Sequence, residues 1–298
     1  MSNFYTWNNY RCGYAVHTAP NAKVSSEVPL LLVHPIGVGL SRHFWERFCS
    51  EWFKTGGSNL IYNPDLLGCG ESEKPHIAYT PHDWAEQLQY FLQTEIKKPV
   101  VLVVQGALLP VAIALIHLQK EPNLIKGLVL SGPPSWSLIT KPTSTLRQKL
   151  LWNLFFDSPV GAAFYRYART PQFLRSFSIR QLFDSVEDVD SQWIDMLLAG
   201  AADPDSRYAV FSFLAGFWRQ NYADAIANIT QPTLVVMGET ASSISETGKG
   251  ETPDQRLANY LQYLHVGEKV KVLGRNVLPY ESTVDFVNAI APFVKKLS

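Results

Sequence analysis

Few residues in this 298-residue chain could do chemistry, and they are widely scattered. His34 closes the apolar run Val28 to His34, where an imidazole invites a general-base role. Asp65 and Cys69 sit in the Gly- and Pro-rich stretch from Tyr62 to Pro75, which could offer a base or a thiol nucleophile. A second apolar run, Val100 to Val104, leads into Gln105, Gly106, Ala107 and Leu108, and a third ends at Ser131 with Ser135 close behind. Glu239 and Glu246 flank a loop rich in Ser, Thr and Gly. None of these residues has its chemical partner at short spacing. Cys12, Cys49 and Cys69 are odd in number and far apart, so neither a disulfide framework nor a zinc cluster is expected. No metal and no cofactor is expected. Cys69 has no neighbouring His or basic cluster to favour its thiolate and reads as inert. Asp65 reads as ordering the turn before Gly68 and Gly70, and the two glutamates as solvated loop residues.

The elements that must position these groups follow from patterning. Near-continuous apolar runs at 28–34, 59–62, 99–104, 125–131, 232–237 and 269–273 suit strands buried on both faces. Amphipathic stretches at 82–96, 109–119, 254–263 and 283–296 separate most of them, which is the alternation of a doubly wound, mostly parallel α/β sheet. The hundred or so residues between Ser131 and Pro232 are too many for a structureless connection. They are rich in aromatics and read as an inserted helical cap. The expected division is 1–132 and 229–298 for the core and 133–228 for the cap.

Composition excludes some partners. Lys and Arg total 26 against 26 Asp and Glu, so there is no basic excess with which to neutralise phosphates, and nucleic acid is not an expected partner. No stretch approaches the roughly 20 apolar residues of a transmembrane segment. The opening residues, Met1 to Trp7, lack the basic start and apolar run of an export signal, and the expected location is cytoplasmic.

Val33-His34-Pro35-Ile36-Gly37 after the first strand, with Pro64-Asp65-Leu66-Leu67-Gly68-Cys69-Gly70-Glu71-Ser72-Glu73-Lys74-Pro75 after the next, resembles the α/β-hydrolase superfamily in its capped, epoxide-hydrolase and esterase-like branch. Pro232 to Glu239 is similar to the strand that precedes that family's acid loop, and Asp157 to Phe173 looks like the cap of photosynthetic-lineage members. The resemblance implies an α/β-hydrolase fold and a serine nucleophile on a Gly-x-Ser-x-Gly elbow, served by a histidine and an orienting carboxylate. Here the elbow aligns with Val104 to Leu108, which puts Gly106 at the nucleophile position. The base position aligns with Val277 and the acid position with Ala241. The resemblance therefore implies a catalytically degenerate member. It also implies that His34 braces the oxyanion loop and that the Ile36 and Ala107 amides are the oxyanion donors. Pro35 replaces the usual glycine and stiffens that loop.

The residues expected to bind a ligand are His34, Ile36, Gly37, Gly106, Ala107, Trp136 and Val277. Trp136, Trp152, Phe155, Phe156 and Trp218 would line a pocket between core and cap suited to an apolar or ring-containing molecule. The leading expectation is a non-hydrolytic protein that binds a lipophilic small molecule or a protein partner. Two alternatives stand beside it: serine-independent chemistry of lyase or isomerase type, and a hydrolase with a displaced nucleophile.

Overall fold

The computed structural model describes residues 2–19, 27–121 and 123–298. The strands are β1 (Ser2–Trp7), β2 (Tyr10–His17), β3 (Leu30–Val33), β4 (Ile61–Pro64), β5 (Val100–Gln105), β6 (Ile125–Ser131), β7 (Thr233–Gly238) and β8 (Gly267–Val272). Among the described residues they form one eight-stranded sheet in the order β1-β2-β4-β3-β5-β6-β7-β8. Strands β3 to β8 pair in parallel, while β1 and β2 add an antiparallel hairpin against β4. Every residue of β3, β5 and β7 is buried. Helices covering both faces make that burial possible and select unbroken apolar runs.

Helix α1 (Glu46–Lys54) follows β3, α2 (Pro81–Phe91) follows β4 and α3 (Leu109–Leu118) follows β5. All regular structure between β6 and β7 is helical. It comprises α4 (Trp136–Thr140), α5 (Thr145–Leu151), α6 (Pro159–Ala168), α7 (Pro171–Phe177), α8 (Ser191–Gly200), α9 (Arg207–Ala215) and α10 (Ala223–Ala227), with short 3-10 and π-helical turns between them. Helix α11 (Pro253–Tyr263) follows β7, and α12 (Leu278–Glu281) and α13 (Thr283–Leu297) follow β8. Helix starts are encoded locally. Thr80 before α2 and Thr252 before α11 each form a capping box, with Asp83 and Gln255 respectively, and a proline follows at the first helical position.

Alternation along the strands divides the core in two. Leu31, Val33, Leu102 and Val104 pack with α2, α3 and α11 on one face. Leu30, Leu32, Val101 and Val103 pack with α1 and α13 on the other. The β1–β2 hairpin and α1 were not foreseen from the sequence. The hairpin turn is Asn8-Asn9, with φ of +48° and +65°, a two-residue turn in left-handed geometry that asparagine tolerates.

Candidate functional site

Strand β5 ends at Gln105, and the chain turns sharply through Gly106 before α3 begins at Leu109. Gly106 has φ +61°, a conformation that glycine adopts at no steric cost. A Cβ placed on it would find no atom within 4 Å. The apex of this elbow instead faces a cavity of about 500 Å³ between the sheet and the β6–β7 helices. Ile36, Gly37, Ala107 and Val277 share its wall with Gly106.

The loop after β3 is held from two sides. His34 is completely buried; its Nε2 accepts a hydrogen bond from the Leu66 amide at 3.1 Å, and its Nδ1 donates to the Pro35 carbonyl at 2.9 Å. Both ring nitrogens are thus used by backbone, and burial holds the imidazole pKa below its ordinary value. His34 stays neutral and does not reach the cavity wall, which corrects its place among the expected ligand contacts. Gly39, at φ +77°, lets the loop touch α8. Any Cβ there would lie 1.9 Å from the Leu197 carbonyl oxygen.

Asp65 acts on the turn behind this loop. It forms a buried ion pair with the Arg42 guanidinium and accepts the Arg42 amide at 2.8 Å and the Glu71 amide at 2.9 Å. Both carboxylate oxygens are engaged and Asp65 does not line the cavity, so it orders the turn. Cys69 is also buried, and burial pushes its thiol pKa well up.

The loop after β8 brings Val277, 4% exposed, to the wall. Asn276 beside it donates from Nδ2 to the Gln181 carbonyl at 2.7 Å, and its amide donates to Leu182 at 3.0 Å. Ala241 is buried outside the cavity, and the wall there is made by Ser242, Ser243 and Ser245. Glu239 and Glu246 are exposed and do not line it, and Glu246 pairs with Lys249. Ser131 is buried without reaching the cavity, whereas Ser135 does reach it.

The expected aromatic lining is largely corrected. Trp136 packs edge-on against Tyr260 at 5.3 Å and lies 4.6 Å from the Tyr263 ring, on the far side of its helix. Trp152 packs on Phe217 and Phe156 on Phe211, while Phe155 is partly exposed. Of the five named rings only Trp218 lines the cavity, joined by Phe164, Phe173, Phe177, Trp193 and Phe211.

Two arginines in the wall were missed. Arg256, on α11, is 2% exposed. Its Nη1 donates to Pro133 at a long 3.4 Å, its Nε lies 3.6 Å from the Glu251 carboxylate, and Nη2 has no hydrogen-bond partner. Burial lowers its pKa. Arg256 lies beside Leu257 and one turn from Tyr260, on the buried face of its helix. Arg219 lines the cavity from the segment after α9. Among the described residues, no His, Asp, Glu, Cys or Lys lines the cavity. Besides the arginines its titratable group is Tyr165, pushed up to about 12 by burial, whose hydroxyl hydrogen-bonds to that of Ser206 at 2.7 Å. No group of His, Cys, Asp and Glu among the described residues could hold a metal ion.

This fold and this elbow belong to a family, and residues 30–289 match the model of the alpha/beta hydrolase family. The chain is a member of that family. No curated protein matches it. Solved structures do. A serine hydrolase involved in carbazole degradation aligns with a TM-score of 0.74 and 17% identity over 99% of each chain. A thermophilic esterase from Thermogutta terrifontis aligns at 0.72 and 19% identity over 100% of this chain and 99% of its own. The enol-lactonase from Burkholderia xenovorans aligns at 0.72 and 14% identity, covering 98% and 100%. At these identities the likeness establishes the fold.

Proposed function

We propose that this alpha/beta hydrolase family member holds a lipophilic, ring-containing small molecule in the cavity and does not hydrolyse it. One observation carries the reading: the elbow apex lines the cavity, with a left-handed φ and open space where a side chain would project, yet the residue there is Gly106. A glycine cannot form an acyl-enzyme. The wall supports the same reading, because Val277 stands at the base position and no imidazole or carboxylate replaces it among the described lining residues. The protein is accordingly a degenerate member of its family, in the capped branch, with the core at 1–132 and 229–298 and the cap at 133–228. Any oxyanion hole left at the Ile36 and Ala107 amides serves as a polar contact for the ligand. Aliphatic and aromatic side chains set the preference for apolar rings, and Arg256 gives one end of the cavity a donor for an acceptor group. Three buried free thiols fit a cytoplasmic setting. Lyase or isomerase chemistry would need a proton-transfer group aimed at the ligand. Tyr165 is the candidate in the wall, and its high pKa and bond to Ser206 favour the binding reading over the enzymatic one.

The test is mass spectrometry of small molecules released from the purified chain, beside a Gly106→Trp variant that fills the cavity. A retained apolar molecule, lost in the folded variant, supports the proposal. Equal retention in the two proteins would place the ligand elsewhere.

A further inference from the structure

Helix α5 (Thr145–Leu151) and the π-helical turn that continues it, Trp152–Phe156, carry apolar residues on their solvent side as well as on their buried side. The inward positions are Gln148, Trp152 and Phe156, all buried and four residues apart. Offset by two residues, Leu146, Leu150 and Leu154 are also four apart, and they are 66%, 48% and 73% exposed. Three leucines in line on the solvent side form a stripe that burial elsewhere in the chain does not explain.

The charges around the stripe have one sign. From Lys141 to Phe156 the sequence carries Lys141, Arg147 and Lys149 and no acid. Among the described residues none of the three forms an ion pair. Arg219 lies near enough to Arg147 for their charges to repel. Asp157, the first acid beyond the stripe, is engaged by His76 at 2.6 Å.

The same segment abuts the cavity. The Gln148 side chain donates to the Gly216 carbonyl at 2.8 Å, the Thr143 amide donates to the Arg219 carbonyl at 3.3 Å, and Trp152 packs on Phe217. Gly216 and Arg219 line the cavity, as does Leu214, which is 49% exposed and so reaches from the wall to the surface.

We infer that the α5 face is a docking surface for an anionic phospholipid bilayer, with the leucines inserting among the acyl chains and the unpaired cations meeting the headgroups. Exposed leucines interleaved with cations are the pattern of a helix lying in a membrane interface. Docking there sets the Leu214 side of the cavity toward the lipid. The charge pattern favours this occupant over a second copy of the chain, which would bring the same cations against themselves.

The experiment is vesicle co-sedimentation of the full chain with phosphatidylcholine alone and with phosphatidylcholine containing phosphatidylglycerol. Two variants accompany the parent: Leu146→Gln, Leu150→Gln, Leu154→Gln and Arg147→Gln, Lys149→Gln. All these side chains are exposed, and far-UV circular dichroism with thermal melting checks that both variants fold. The parent is expected to bind the anionic vesicles, to release at high salt and to ignore the neutral ones. Each variant is expected to bind at least about tenfold more weakly. Absence of binding by the parent, or equal binding by the leucine variant, overturns the inference. So does a parent dimer that the leucine variant dissolves without any vesicle binding. No cavity ligand enters this measurement, so its outcome is independent of the proposed function.

Discussion

The Gln105 side chain donates a 2.7 Å hydrogen bond from Nε2 to the backbone carbonyl of Asn276. This bond joins the last residue before the elbow apex to the residue before Val277. The elbow and the loop after β8 are therefore fixed relative to each other although neither apex residue has reactive chemistry.

Gln105→Leu removes that tie and leaves the Asn276 carbonyl without its donor. Chemical denaturation is expected to show a loss of about 1–3 kcal/mol, the cost of one buried polar group deprived of its partner. Unchanged stability would mean that the two loops hold their places independently.

Gly106→Ser tests the proposed loss of catalysis. The cavity has room for the side chain, since no atom lies within 4 Å of the added Cβ. The left-handed backbone adds a cost of about 1–3 kcal/mol in stability. The single variant is expected to stay at background on an activated ester, because a serine without a base is a weak nucleophile. Measurable turnover is expected only when Val277→His and Ala241→Asp are added, since triad members act as a unit. Full activity in Gly106→Ser alone would reveal a base that the cavity wall does not show.

His34 sets a pH dependence of stability. Burial lowers its folded pKa below the unfolded value near 6.5, so the unfolded state takes up the proton first. The stability held by neutral His34 is full above about pH 6.5 and drains away as pH falls through the folded pKa. His17, also lowered by burial, adds to the same trend. Urea unfolding at pH 7.5 and 5.5 is expected to show the parent weaker at the lower pH. His34→Gln should be less stable at pH 7.5, with a shallower dependence on pH. An unchanged slope would mean that other groups carry the effect.

What the sequence disclosed, and what it hid, follows one physical rule. Strands β3, β5 and β7 were legible because burial on both faces demands unbroken apolar runs. The elbow and its neighbours were legible because turns impose residue types at fixed spacing. β1 was not, since four of its six residues are exposed and its signal was the Asn8-Asn9 turn. The rings Trp136 and Trp152 were misplaced because composition gives no helix register, and register decides which side of α4, or of the turn that continues α5, faces the cavity. Arg256 was missed because a lone charge in an amphipathic helix reads as solvated until its burial is known.

Fluorophosphonate labelling tests the central claim most directly. Purified protein treated with the probe and analysed by intact mass is expected to remain unmodified, with activated-ester turnover at background, because Gly106 offers the cavity no oxygen to phosphonylate. Stoichiometric labelling of one serine, abolished by a single Ser→Ala substitution, would contradict the account and restore the chain to the serine hydrolases.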